Sequence, residues 1–204
     1  MNIDKRESRF MSSPIRQFFL KYYEFLIFKK LLKKNNIDLT NKVILDAGCG
    51  PGYSSELIIK EFKPKELFAF DIMQEEVELA RQRRLPMNIF VGDITDIQLP
   101  SESFDAVFIF CVLHHIPEWR RAIKEINRVL KPGGVFAVEE PDKVTLDRSE
   151  HYLKIYHPKE SRFEWPEFIK GLKGSGFHIA VSRKIYLGCI KSFICIKSVR
   201  TNDH

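Results

Sequence analysis

The sequence predicts a doubly wound α/β domain, a parallel sheet covered by helices on both faces. Three observations carry this expectation. Short apolar runs recur along residues 43–139, each the length of a buried strand, and segments with a helical repeat separate them. The first run, Val43-Ile44-Leu45-Asp46, breaks into three glycines spaced two apart, Gly48, Gly50 and Gly52, and a helical pattern follows over residues 53–60. Several runs end in an acid or a thiol, and in such sheets the carboxyl ends of the strands share one ligand crevice. Asp46, Asp71, Asp93, Cys111 and Glu140 are therefore expected to line it.

Taken in order, residues 1–13 are polar. Over residues 14–35 the spacing of Phe18, Phe19, Tyr22, Phe25, Leu26 and Leu32 is helical, broken by lysines. A helix this apolar must pack on the domain, on a second copy or on a membrane surface. Asn35, Asn36 and Asn41 turn the chain into the first strand. After the glycine turn and its helix, Lys63-Pro64-Lys65 leads to a second strand, Leu67-Phe68-Ala69-Phe70-Asp71. Residues 74–84 read as a charged helix with Val77, Leu79 and Ala80 inward, stopped near Pro86. Asn88-Ile89-Phe90-Val91-Gly92-Asp93 is a third strand. Asp105-Ala106-Val107-Phe108-Ile109-Phe110 is a fourth, running into Cys111-Val112-Leu113-His114-His115-Ile116. Pro117 opens a helix to residue 130, Lys131-Pro132-Gly133-Gly134 turns sharply, and residues 135–139 form a fifth strand. Residues 142–165 have weak periodicity and read as a cap insertion. A helix over 166–175 and two strands, 177–186 and 190–198, close the chain around Gly188. The organisation is thus an N-terminal helical segment, residues 1–42, forming part of the cover, and a ligand-binding domain, residues 43–204, bearing the cap at about 142–165.

A strand that turns through glycines into a helix brings backbone N–H groups and the positive helix end to a ligand, with no side chain in the way. The spacing departs from two common signatures. A dinucleotide fingerprint would require glycine where Tyr53 stands, and phosphate loops end in Gly-Lys-Ser/Thr, which is absent. A NAD-type oxidoreductase is disfavoured accordingly. The run Asp46-Ala47-Gly48-Cys49-Gly50-Pro51-Gly52 instead resembles the D/E-x-G-x-G-x-G first motif of class I S-adenosylmethionine (SAM) dependent methyltransferases. Phe104 to His115 is similar to the fourth motif of their small-molecule type 11 group, and the likeness covers roughly residues 40–198.

The resemblance implies a Rossmann-like sheet of seven strands with the last antiparallel, SAM as cofactor and S-adenosylhomocysteine as product. It implies that Gly48, Cys49, Gly50 and Gly52 make room for the methionine part and that Asp46 helps hold its ammonium through water or backbone groups. Asp71, nineteen residues after Gly52, would accept from both ribose hydroxyls, with Met73 beside the adenine and Ile72 in the same set. Asp93 would accept from the adenine amine while the Ile94 N–H meets a ring nitrogen; the competing reading of Asp93 is a turn cap. Cys111 joins the cofactor set. Tyr22 would close over the cofactor from the N-terminal helix, against the alternative of a core aromatic. His115, or less strongly His114, would be a general base, because imidazole titrates near neutrality; the alternative is a packing or turn histidine. The reaction implied is in-line displacement at the sulfonium methyl toward a small-molecule acceptor.

Other classes are weighed by what is missing. The fourth motif lacks the (Asp/Asn)-Pro-Pro-aromatic and Pro-Cys runs of nucleic-acid methyltransferases. Glu139-Glu140 follows the fifth strand, whereas the paired glutamates of protein-arginine methyltransferases follow the fourth. An RNA or protein methyltransferase and a non-catalytic SAM-binding subunit or scaffold remain the alternatives. No metal-ligand spacing is visible, so no metal is expected, and no specific nucleic-acid motif is present.

At 204 residues, 44% hydrophobic and 29% charged, the chain suits one globular domain. No apolar run reaches the roughly 18–20 residues of a membrane helix. The start lacks a secretory pattern, so a cytoplasmic protein is expected, monomer or homodimer. Four cysteines without C-x-x-C spacing read as buried free thiols. The net charge of +6 is segmented. Residues 1–42 hold ten Lys/Arg against four Asp/Glu, residues 43–142 eleven against seventeen, and residues 143–204 twelve against six. Basic ends around an acidic middle point to an anionic or amphipathic acceptor, or to peripheral contact with an anionic membrane. Lys154 and Arg162 in the cap are expected to supply part of that positive cover.

Overall fold

A computed structural model describes residues 17–18 and 20–199, so expectations for residues 1–16, Phe19 and residues 200–204 lie outside the described residues. The strands are β1 (Val43–Ala47), β2 (Glu66–Asp71), β3 (Asn88–Val91), β4 (Phe104–Phe110), β5 (Leu130–Pro141), β6 (Phe177–Ile185) and β7 (Ile190–Lys197). They form one seven-stranded sheet in the order β3-β2-β1-β4-β5-β7-β6. The pairs from β3 across to β5 are parallel, and β7 runs against both of its neighbours, β5 and β6. This is the expected fold, with the last strand the antiparallel one. The chain leaves β1 toward β2 and β3, then returns on the other side at β4. A crevice opens at the carboxyl ends of strands where such a reversal occurs.

Alternation along each strand feeds two cores. Ile44, Ala106, Phe108, Ala137 and Ile194 face one side, while Leu45, Val107, Ile109, Phe136 and Phe193 face the other. Helix α1 (Phe25–Lys34) covers the first side beside α2 (Tyr53–Phe62). Phe25, Phe28 and Leu32 are buried there with Leu57, Ile58 and Phe62, and Phe28 sits edge-on to Phe110 with ring centroids 5.4 Å apart. The apolar helix therefore packs on its own domain. A π-helical turn, Leu20–Glu24, precedes it, and the Tyr186 hydroxyl donates to Glu24 Oε1 at 2.6 Å.

Helix α3 (Gln74–Gln82) lies against β2 and β3. Val77 and Ala80 are buried, but Leu79, expected inward, is 45% exposed because it falls on the opposite side of the helix. On the second face, α4 (Trp119–Val129) presents Trp119, Ala122, Ile123 and Ile126, the i, i+3, i+4, i+7 stripe of a half-buried helix. It meets Phe168 and Leu172 of α6 (Trp165–Gly174). Gly171 is required at that crossing, since a Cβ there would lie 2.6 Å from the Trp119 ring.

The turn expected at residues 131–134 is a bulge inside β5. Leu130 pairs with Phe104 and Val135 with Ala106, so four residues loop out opposite Asp105, which accepts from Lys131 Nζ at 2.9 Å. The cap region holds α5 (Lys143–Arg148), a π-helical turn (Ser149–Leu153) and a 3₁₀ turn (Lys159–Ser161). Cys49 and Cys195 are buried; Cys111 and Cys189 are half-buried, and all four are unbridged. Among the described residues no helix is long and apolar enough to cross a membrane.

Candidate functional site

The glycine turn assigns a different task to each glycine. Gly48 and Cys49 donate their N–H groups to Phe70 O at 2.9 and 3.0 Å, tying the turn to β2. Gly48 has φ +76°, and a Cβ on it would stand 2.6 Å from Val112. Gly50, at φ +52°, has nothing within 4 Å of the Cβ position, so its backbone is open to close approach. Gly52 caps the start of α2, and its missing side chain lets Ala80 of α3 come near.

Asp71, at the end of β2, is buried and bridges two loops. Its Oδ2 accepts from the Gly50 N–H at 2.9 Å and its Oδ1 from the Met73 N–H at 3.0 Å. Burial pushes its pKa up, and those N–H bonds pull it down. A carboxylate oxygen with one N–H bond keeps a second lone pair for a ligand hydroxyl. Asp93 is exposed, and its Oδ1 accepts from the Thr95 N–H and hydroxyl at 2.7 and 2.8 Å. It is thus a turn cap that also fronts the cavity. Gly48, Asp71, Ile72, Asp93, Ile94, Val112, His115 and Pro158 all border a cavity of about 290 Å³.

The turn after β4 forms another wall of the cavity, and Glu140 holds it. This residue, at the end of β5, is fully buried. Its Oε1 accepts from the Val112 and Leu113 N–H groups at 2.9 and 2.7 Å, and its Oε2 from His114 Nδ1–H at 2.7 Å. A 3₁₀ turn, Leu113–His115, results, with His115 at the cavity and His114 turned to Glu140. His157 of the cap completes a buried group, its ring centroid 5.1 Å from that of His114 and 5.2 Å from that of His115. The Ser161 hydroxyl donates to His114 O and binds the cap to the turn.

Several residues expected at the site do not line this cavity. Asp46 is buried below the turn, its Oδ2 accepting from the Ser54 and Ser55 hydroxyls at 2.7 and 2.6 Å. Cys49, Gly50, Gly52, Met73 and Cys111 belong to the turns around the cavity and not to its lining. Burial drives the Cys49 thiol far above its ordinary range. Cys111 has φ +58° and donates its N–H to Glu139 O at 2.8 Å, which sets the direction of the following turn. Tyr22 is half exposed, its ring tilted against Phe18 with centroids 4.8 Å apart under Lys21, and does not line the cavity. Sequence reasoning missed Val112, Pro158 and His157 as neighbours of the site. The expectation for Arg162 is corrected by its contacts. Its guanidinium is buried, pairs with Asp147 and Glu150, and donates to His157 O at 2.7 Å, so its charge is spent inside the cap.

Asp46 carries a pH signature. Burial pushes its pKa from 3.8 up to about 6, against the two serine hydroxyls, and its Oδ1 has no hydrogen-bond partner among the described residues. Between those two pH values the folded chain keeps a proton that the unfolded chain gives up, so stability falls as pH rises through the window. Above pH 6 the buried charge costs about 3 kcal/mol. Asp46→Asn is expected to flatten that dependence and to raise stability without ligand at pH 7.5, while leaving pH 4 nearly unchanged. Urea unfolding at the two pH values checks this, and a parallel pH dependence in wild type and variant would refute it.

Comparison with known proteins agrees with this geometry. A family model described as a methyltransferase domain, of type 11, matches residues 45–138, from β1 into β5. A Mycolicibacterium smegmatis protein described as a "Probable S-adenosylmethionine-dependent methyltransferase" is 30% identical over 146 residues, covering 71% of this chain and 55% of that protein. A phthiotriol/phenolphthiotriol dimycocerosates methyltransferase of Mycobacterium tuberculosis is 35% identical over 102 residues, 49% of this chain and 38% of that one. The chain therefore spans about half or less of the length of these relatives. Among solved structures, a SAM-dependent methyltransferase from Aquifex aeolicus matches with a TM-score of 0.71 at 20% identity, covering 96% of this chain and 100% of that one, which shows the fold.

Residues 45–138 match the type 11 methyltransferase domain, and the sheet order and glycine turn agree with the class I SAM-dependent methyltransferase fold. S-adenosylmethionine is the cofactor of that family.

Proposed function

We propose that the protein transfers a methyl group from SAM to a small-molecule acceptor by in-line displacement, with the acceptor bound on the His115 side of the cavity. The observation that carries this reading is a single cavity bordered by Gly48 of the glycine turn, by Asp71 and Asp93, and by His115. Asp71 accepts from the ribose hydroxyls, Asp93 and the Ile94 N–H receive the adenine edge, and the open Gly50 backbone admits the methionine part. The positive sulfur already makes the methyl electrophilic. The protein contributes alignment and exclusion of water, worth up to about 7–11 kcal/mol in favourable cases. His115 is the base for an acceptor that must lose a proton. A cap bordering the cavity through Pro158 favours an acceptor small enough to enter beneath it.

Calorimetry with SAM and S-adenosylhomocysteine, followed by transfer of labelled methyl to candidate acceptors, tests the proposal. Tight NAD binding without SAM binding would overturn it. His115→Ala is expected to lower kcat about 10²–10⁴-fold while leaving SAM affinity nearly intact. Unchanged turnover on an identified acceptor would make His115 a packing residue.

The acceptor is amphipathic or anionic. Tyr152, Leu153 and Tyr156 are all more than half exposed on the cap, and Lys154 and Lys159 lie among them. Activity should fall with salt, since exposed charges are screened over about 8–10 Å at physiological ionic strength. Because Arg162 is internally paired, the charge reversals that test the surface are Lys154→Glu and Lys159→Glu, expected to raise KM for the acceptor and not the Kd for SAM. A neutral hydrophilic acceptor, used equally well at low and high salt, would refute this.

A further inference from the structure

We propose that His114, His115 and His157 form a binding site for one divalent zinc ion at the edge of the cavity. One ring nitrogen from each residue lies within 4.8 Å of the others, and all three side chains are buried. Three nitrogens on a tetrahedral zinc, at about 2.0–2.1 Å from the metal, stand roughly 3.4 Å apart. Closure of the site thus takes ring rotations on the order of 1 Å. Imidazole is a preferred ligand of zinc, and three histidines leave one coordination position open, the arrangement of reactive and not of structural zinc.

The surroundings of His114 supply an independent reason. Its Nδ1 donates to the fully buried Glu140 carboxylate at 2.7 Å, which fixes the proton on Nδ1 and assigns coordination to Nε2. A carboxylate behind a histidine in this way orients the ring and raises its basicity toward a metal. The site also joins two parts of the chain. His114 and His115 come from the turn after β4, whereas His157 is forty-two residues further on in the cap. The Ser161 hydroxyl holds the cap against this turn through His114 O, and Arg162 fixes the His157 backbone within the cap through His157 O.

His115 belongs both to the cluster and to the cavity wall. Resting on the methyltransferase reading, the open position takes the oxygen or sulfur of the acceptor. Zinc lowers the pKa of that O–H or S–H, and the proton leaves to solvent. The heteroatom lone pair then forms the bond to the SAM methyl carbon, and the carbon–sulfur pair returns to sulfur, giving S-adenosylhomocysteine. In the zinc-loaded protein His115 acts as a ligand, and acceptor activation passes to the metal.

The test uses the full chain without a histidine tag, stripped with a chelator. Zinc is titrated against a chromophoric chelator, cobalt is added in a parallel sample, and SAM binding is measured on the metal-free protein. One equivalent of zinc and the visible spectrum of four-coordinate cobalt are expected. His157→Gln should lower zinc affinity at least tenfold, and Glu140→Gln about 10–100-fold. His151→Gln, outside the cluster, should leave it unchanged. Absence of stoichiometric metal binding by the wild-type protein overturns the proposal without depending on any variant's folding, as does unaltered affinity in a folded His157→Gln. SAM binding without metal binding removes the zinc site alone. Zinc binding without SAM binding upholds the site and removes the methyltransferase reading.

Discussion

Glu140→Ala is expected to destabilise the domain by about 3–5 kcal/mol, the cost of breaking a buried ionic hydrogen-bond group. The carboxylate has no exposure to solvent and accepts from Val112 N–H, Leu113 N–H and His114 Nδ1–H. Its removal leaves these donors buried without an acceptor, each costing about 1–3 kcal/mol, and opens a void. Glu140→Gln should lose less, since one oxygen can still serve the two backbone donors. Denaturant unfolding of the three proteins decides the matter. A loss below about 1 kcal/mol in Glu140→Ala would show that the turn is held by its own packing.

Asp71→Ala is expected to weaken SAM and S-adenosylhomocysteine by about 1.5–3 kcal/mol, the range for a lost charge-assisted hydrogen bond. The residue does two things at once. It offers lone pairs toward the cavity, and it ties the Gly50 and Met73 N–H groups into one frame. Truncation therefore removes a ligand contact and loosens the turn that surrounds it. Gly50→Val should be worse still, for two reasons: φ +52° strains a β-branched residue, and the added side chain enters the open space beside the turn. Calorimetry showing unchanged affinity in Asp71→Ala would take Asp71 out of the ribose site.

The parts of the molecule that were legible in its sequence are those where local pattern and tertiary role coincide. Ile44 and Leu45 alternate between two cores because a strand covered on both faces is apolar throughout. Trp119, Ala122, Ile123 and Ile126 repeat as a helix stripe does. Glycines at positive φ mark the turn, and an acid at the end of β2 marks its neighbour. What stayed hidden depends on partners distant in the chain. His157 meets His114 only because the cap folds back, and no spacing rule links them. Arg162 reads as a surface cation until Asp147 and Glu150 surround it. Lys131-Pro132-Gly133-Gly134 contains turn residues, yet strand pairing resumes on both sides and makes it a bulge. Tyr22 shares a helical spacing with true core residues, yet it falls in the π-helical turn before α1, where its side chain is half exposed.

Arg162 gives the cap a mechanical character. One guanidinium joins α5 through Asp147, the following π-helical turn through Glu150 and the irregular segment before the 3₁₀ turn through His157 O. Three pieces of backbone with little regular hydrogen bonding among themselves are thereby clamped at a common point. Such a segment is expected to open as one cooperative unit, since Arg162 is shared by all three pieces. Amide exchange across residues 143–162 should then proceed with a shared opening free energy. On that expectation a molecule entering past Pro158 would meet the swing of a flap, and not the fraying of a loop.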